Sequence, residues 1–395
     1  MKKQPSLVTL MLLASLAAVG AVIFAPALPA IASNFNVSKD IAQWTMTIYL
    51  LGYALGQLPY GPLSSSAGRK KGLYLGLSLQ IAGALFCAVS LAVGQISMLI
   101  IGRLILSIGG ASGLVLSFAM IGDCYEGQSA RKRISYLTLV FAIAPGLSIA
   151  LGGFIIKHLT WPFCFYFLAL YGLVLLVLTH RLPETLKKSE RIPLRLSTIL
   201  HHYTNKIKHS RLVLASLLMG IATSFNYVFA TEAPFLAIDK LNLSTSTYGM
   251  LNLIPAAGLL VGCLASAKLA HVVSSLKMIF FGVIGLIGIS AIILVLFLSG
   301  DFGVWTLFLP TFFIFAFYGL VNANAPVYAF TQGLNRAYAS ATLQSINLSL
   351  VTVAILLLAY LPLKVLSLPL AFFGLAILAI ICFGGLSIAV RKTPE

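Results

Sequence analysis

Acidic residues are scarce in this chain: nine Asp and Glu in 395 residues, set against 26 Lys and Arg. Charged residues together make up 9%, where a soluble domain carries about a quarter. A chain this poor in charge and 59% hydrophobic would expose far too much apolar surface to water. A soluble fold is therefore excluded, and the bilayer is the solvent. The five cysteines (Cys87, Cys124, Cys164, Cys263, Cys382) are scattered. They have neither metal-ligand spacing nor the look of a disulfide framework, and read as packing residues. No nucleophile–base set, Walker loop or metal cluster occurs, which argues against an enzyme and excludes an ATP-driven pump for this chain. No cofactor is expected, and energy must come from an ion gradient, a substrate gradient or a partner subunit.

What the sequence does have is apolar length. Spanning a bilayer takes runs of about 20 apolar residues. Twelve such runs occur, at roughly 6–32, 42–63, 71–93, 97–121, 134–157, 161–181, 211–236, 247–269, 277–299, 304–330, 338–361 and 367–390. The first follows Lys2 and Lys3 as a signal peptide would. Its apolar stretch is too long for one, and its Pro26-Ala27-Leu28-Pro29 end lacks a small-residue cleavage site, so it reads as a retained helix. The net charge of +17 is explained by topology rather than by nucleic acid. With both termini in the cytoplasm, the Lys and Arg fall on the cytoplasmic side except for Lys39, Lys157, Lys240, Lys364 and the intrahelical Arg103.

Most connections are short. One, 182–210, is long, polar and basic, and it divides the runs six and six. The expected organisation is an N-terminal six-helix bundle at 1–181, a cytoplasmic linker at 182–210 and a C-terminal six-helix bundle at 211–395. The fold class is an all-α integral membrane protein whose two bundles rock against each other. His201, His202 and His209 read as a solvated loop rather than a metal site. Gly109, Gly110 and Gly113 in the fourth run, with Gly146, Gly152 and Gly153 in the fifth, suit close helix contact in lipid. Pro145, Pro255 and Pro326 each remove a helical hydrogen bond and permit a bend.

Of the nine acids, only Glu232 lies inside an apolar run. Proton coupling needs a carboxylate that alternates between dry and wet surroundings, so Glu232 is the coupling candidate by elimination. An interfacial glutamate is the competing reading, because Glu232 falls near the outer end of its helix. Arg103 is the one basic residue well inside a helix, where an arginine faces a cavity or a partner; a structural role bonding to backbone carbonyls is the competing reading. In the second run Tyr49, Tyr53, Gln57 and Tyr60 recur at mostly four-residue spacing and share a face.

Several motifs occur in order: PALPAIASNFNVS (26–38), YLLGYALGQLPYGPL (49–63), GRKK (68–71), GRLILSIGGASG (102–113), APGLSIALGGF (144–154), LPET (182–185) and EAPF (232–235). Together they resemble the major facilitator superfamily, and within it the bicyclomycin/chloramphenicol-resistance (Bcr/CflA-type) drug:proton antiporters. The resemblance covers nearly the whole chain and is densest in its first half. It implies a twelve-helix major facilitator fold in the bacterial inner membrane and proton-coupled export of small amphiphilic organic compounds by alternating access. It also implies a cavity drawing on Tyr49, Tyr53, Gln57, Asn226, Tyr227, Tyr318, Asn322 and Asn324. Glu232 and Arg103 would handle the proton, and Gly61, Ser65, Gly68, Arg69, Asp123, Pro145, Gly152 and Gly153 would gate. The expected partners are a small-molecule substrate, protons and the lipid bilayer, with no nucleic acid, and the chain is expected to act as a monomer.

The sequence departs from that pattern in four places. Ser65 and Ser66 stand where the turn between the second and third runs normally carries Asp-Arg. Leu106 replaces a usual glutamine, Ile149 replaces a proline, and Ala21-Val22-Ile23-Phe24 lacks the acid that often precedes Pro-x-x-Pro. The family aspartate caps a helix start and pairs with arginine. Ser65 is expected to keep the cap, and Asp123 remains as a partner for Arg69. The missing acid of the first run favours a rival reading, a transporter of a specific metabolite such as a siderophore-like acid or a sugar. A non-transporting receptor or scaffold is the third reading, disfavoured by polar residues within the helices.

Overall fold

The computed structural model describes residues 4–125, 127–191, 210–329, 336–358 and 365–392. Each of the twelve predicted runs is met by helix. The first is α1 (Leu7–Val22), a 3₁₀ turn (Ala25–Ala27) and α2 (Leu28–Asn34). Then come α3 (Lys39–Ala67), α4 (Arg69–Val93), α5 (Ile96–Cys124), α6 (Gly127–His158) and α7 (Pro162–Arg181). The second set is α8 (Ser210–Pro234) with a π-helical segment (Phe235–Lys240), α9 (Thr245–Leu251), α10 (Leu253–Leu269), α11 (Ser275–Leu298), α12 (Val304–Ala329), α13 (Arg336–Leu358) and α14 (Ser367–Lys392). Among the described residues, nine of the spans are long and apolar enough to cross a membrane by length and composition alone. The chain divides into two compact units, Met1–Leu196 and Ser197–Glu395. His201, His202 and His209, with most of the expected linker, lie outside the described residues.

The helix starts follow local chemistry. Ser6, Ser38 and Ser244 precede α1, α3 and α9, and each accepts a backbone N–H from the first turn. Gly94, at φ 73°, ends α4 in the left-handed conformation that glycine adopts without strain. In the first unit α5 packs against α1, α3 and α4, while α4 also packs on α7 and α1 on α6. In the second, α8 packs against α12, α13 and α14, and α12 against α10 and α11. Small residues carry much of this contact, as lipid offers no hydrophobic drive to pair helices. A side chain at Gly109 would strike the backbone of Gln80, and one at Gly113 the carbonyl of Leu13.

Candidate functional site

The first span is interrupted. The helical bond from Ile23 N–H to Val19 O (3.1 Å) closes α1, and Ala27 N–H then turns to Phe24 O (2.7 Å) as the chain tightens into the 3₁₀ turn around Pro26. The end of a helix leaves four carbonyls without intrahelical partners, and lipid has no water to satisfy them. Arg103 of α5 meets two of these carbonyls. Its Nη1 donates to Gly20 O at 2.6 Å and its Nη2 to Ala21 O at 3.0 Å. Its Nε donates to Thr45 O of α3 at 3.0 Å. The guanidinium lies 4.1 Å from the ring centroids of both Phe24 and Tyr49, and the residue is fully buried. Tyr49 in turn donates its hydroxyl to Ala17 O at 2.8 Å. Gly152 of α6 lies so close to Ile23 O that no side chain fits. Phe24 continues outward through Phe165 and Trp161 to Phe35, with ring centroids 5.6 to 6.0 Å apart.

A second constellation forms at the turn between α3 and α4. Gly68 sits at φ 108°, which favours glycine, and a side chain there would meet the Glu184 carboxylate. That carboxylate accepts Arg69 N–H (2.9 Å), Lys70 N–H (3.1 Å) and Leu186 N–H (3.2 Å). It thus caps the start of α4 from beyond the end of α7, where an anion also opposes the positive end of the helix dipole. Arg69 holds Asp123 through Nε (3.0 Å) and Nη2 (3.2 Å), a geometry that suits a planar fork. Its Nη1 donates to Ser64 Oγ (2.8 Å) and Ser65 Oγ (3.3 Å), while Thr185 donates to Asp123 (2.6 Å). Ser65 does not cap α4, contrary to expectation. Its hydroxyl is spent on Gly61 O at 2.9 Å, one turn back in its own helix. Gly61 itself has open space around it.

In the second unit the corresponding interrupted helix carries the acid. Glu232 is fully buried near the end of α8, two residues before Pro234 and the π-helical segment. Among the described residues it and Arg103 are the two fully buried charged side chains. Phe229, one turn earlier, packs edge-on to Phe308 and Phe315 of α12. Arg211, at the start of α8, donates to Ala389 O (3.2 Å) and Val390 O (2.9 Å) in the last turn of α14, another helix end closed by a distant charge.

The expected cavity residues fall into two groups. Tyr49 is committed to Arg103 and Ala17. Asn324 ties α12 to α10 through Ser266 Oγ (2.8 Å) and also bonds Leu320 O of its own helix (2.8 Å). Tyr53, Gln57, Tyr227 and Tyr318 are buried, and Asn226 and Asn322 half-buried. Gln57 Nε2 and Asn322 Oδ1 are buried without a hydrogen-bond partner among the described residues. Of the gating residues, Pro145 lies within α6, and Gly152 and Gly153 are buried about two turns further on. The sequence reading missed Glu184, Thr185 and the π-helical segment. LPET was visible as a motif, but nothing local to it announced a cap on a helix start more than 110 residues earlier.

Comparison with known proteins bears on the family and the fold. The family model described as Major Facilitator Superfamily matches residues 10–332. An uncharacterized transporter of Rickettsia felis (strain ATCC VR-1525 / URRWXCal2) is 33% identical over 58% of this chain and 56% of its own length. A bicyclomycin resistance protein homolog of Haemophilus influenzae is 33% identical over 57% of this chain and 55% of its own. The matched stretches thus span only about half of these relatives. Among solved structures, the D-xylose–proton symporter has a TM-score of 0.78 at 16% identity, covering 98% of this chain and 97% of that one, a likeness of fold alone. The chain belongs to the Major Facilitator Superfamily: it is a multi-pass membrane protein, and within the superfamily it is similar to the bicyclomycin/chloramphenicol-resistance (Bcr/CflA-like) drug transporters.

Proposed function

We propose that the chain exports small amphiphilic organic compounds across the bacterial inner membrane in exchange for protons, with both termini in the cytoplasm. The observation that carries this reading is Glu232, the one fully buried carboxylate among the described residues, set beside a helix irregularity at Pro234. Proton coupling needs a carboxylate that alternates between dry and wet surroundings. A helix interrupted next to that group gives it a place to move, and π-helical turns recur at functional positions. Tyr53, Gln57, Asn226, Tyr227, Tyr318 and Asn322 are the proposed substrate contacts. Their mixture of rings and amides suits molecules that need stacking and a few hydrogen bonds. The similarity to a bicyclomycin resistance protein homolog supports the same substrate class.

A second reading, transport of one specific metabolite, is favoured by the apolar Ala21-Val22-Ile23-Phe24, which removes the carboxylate that a lipophilic cation would seek. Proteoliposomes with an imposed pH gradient test both. Lipophilic cations, neutral drugs and carboxylates are offered in turn, and pH-driven flux of several neutral or cationic compounds is expected. Flux of a single carboxylate or sugar selects the second reading, and flux without response to pH removes proton exchange. A reporter fused after Glu190 is expected inside and one after Asp301 outside. Both on one side would contradict the orientation.

A further inference from the structure

We infer that Gln344 and Asn347 of α13 form a binding subsite for a neutral amide edge, an N–H and a C=O side by side, on the transported compound. This rests on the transport reading, and it adds a helix that carries none of the substrate contacts proposed above. The two positions are three apart, so their side chains are neighbours on one face of α13. Asn347 Nδ2 donates to Gln344 Oε1 at 3.1 Å. A side-chain amide has one carbonyl and two N–H donors. Bonded head to tail, the pair keeps a carbonyl on Asn347 and an amino group on Gln344. Turning both amides over exchanges the two roles and leaves the same pattern. Asn347 is 4% exposed, and its Oδ1 is buried with no hydrogen-bond partner among the described residues. A buried acceptor without a donor is costly, so it points to a group that arrives from outside.

The surroundings fit such a ligand. Leu348, Val351 and Ile355 continue the face of Gln344 and are buried, whereas Ser349, Val353 and Leu357 form the opposite, exposed side of α13. Gln344 is half-buried and turned away from that exposed strip, where a polar side chain borders water rather than lipid. α8 packs on α13, but Ser216, Thr223 and Ser224 spend their hydroxyls on Leu212 O, Met219 O and Gly220 O of their own helix. After Arg336 no charged residue occurs up to Leu358, so the pair selects by hydrogen bonds and not by charge. Asn347 lies level with Gly220 of α8, where an added carbon would stand 3.0 Å from Asn347 O. Tyr227 is seven residues further along α8, about 10 Å at 1.5 Å per residue. That separation suits one amphiphilic molecule with its ring at Tyr227 and its amide at the pair.

The test is equilibrium binding to the purified full chain of two radiolabelled probes, a phenyl-substituted pyrrolidinone lactam and its N-methyl derivative. The lactam presents N–H and C=O on one edge, and the derivative only C=O. The lactam is expected to bind about tenfold more tightly, the effect of one hydrogen bond to a buried partner. In the double variant Gln344→Met/Asn347→Leu this preference is expected to vanish. In Ser349→Ala, on the exposed side of α13, it is expected to persist. Equal affinities in the unaltered protein, no binding of the lactam, or a preserved preference in the double variant overturns the inference. If the double variant does not reach the membrane, Asn347→Leu decides alone. There a fall to about threefold is expected, because Gln344 can still turn its own amide toward the ligand, and an unchanged preference overturns the inference. Flux driven by pH is read separately. A selective lactam subsite without such flux removes proton exchange and leaves the inference standing, and pH-driven flux of other compounds without lactam selectivity does the reverse.

Discussion

The first spans of the two units share an Ala-Pro pair and use it differently. Phe24-Ala25-Pro26 follows the end of α1, and Glu232-Ala233-Pro234 ends α8. In each, a proline interrupts the helix near one end. In the first, the chain tightens into a 3₁₀ turn, an aromatic ring occupies the leading position, and an arginine from α5 takes the released carbonyls. In the second, the chain widens into a π-helical segment, and a fully buried glutamate leads. One interruption is fixed by a permanent charge that cannot be deprotonated. The other places a titratable group beside a segment with looser hydrogen bonding. On the proposed reading, the same local break is an anchor in one unit and a moving part in the other, according to which charge is buried next to it.

The largest effect expected is from Arg103→Ala. Hydrogen bonds to charged groups contribute about 1.5–3 kcal/mol each, and three are lost together with two ring contacts. A loss of at least about 3 kcal/mol is expected, read as a fall in the thermal unfolding midpoint of the detergent-solubilised protein. An unchanged midpoint would break the comparison, because the first interruption would then need no anchor. Gly152→Ala is next, at about 3 kcal/mol, the upper range for overpacking, since the added carbon runs into Ile23 O. Gly220→Ala in α8 is its counterpart. There the added carbon would stand 3.0 Å from Asn347 O of α13, a contact that a small shift relieves. A cost near 1 kcal/mol is expected at Gly220. Equal costs at the two glycines would erase the contrast between a fixed break and an adaptable helix.

Outside the two interruptions the effects are smaller. Glu184→Ala removes the cap on α4, worth about 1 kcal/mol, and should speed hydrogen exchange at the Arg69 and Lys70 amides. Ser65→Asp restores the residue type common in the family at this turn. Ser65 Oγ already lies 3.3 Å from Arg69 Nη1, and Glu184 already provides the cap. A gain of about 0.5 kcal/mol is therefore the expectation. A large gain from Ser65→Asp would mean that Glu184 does not replace the missing acid.

Much of this was legible in the sequence, and the illegible parts share a cause. All twelve spans were readable because apolar runs of that length have one common solution in lipid. Glu232 and Arg103 stood out because buried charge is costly and therefore rare. The 3₁₀ turn was hidden inside the first run, since Pro26 and Pro29 looked like the end of a helix rather than a break with helix on both sides. The roles of Glu184 and Arg211 as caps were not readable. Each closes a helix end distant in sequence, and capping signals can be read from sequence only when the cap lies beside the helix it closes. Ser65 was read as a cap on that local logic, but its own helix took the hydroxyl first.

The division of labour between the two buried charges is the central claim, and one pair of measurements in the same proteoliposomes tests it most directly. pH-driven efflux and substrate exchange without a pH gradient are measured for Glu232→Gln and for Arg103→Lys, normalised to inserted protein, using a neutral drug that the unaltered protein transports. The account predicts that Glu232→Gln keeps exchange and loses the pH-driven component, while Arg103→Lys lowers both in the same proportion. Selective loss of the pH-driven component in Arg103→Lys, or full pH-driven efflux in Glu232→Gln, would contradict it.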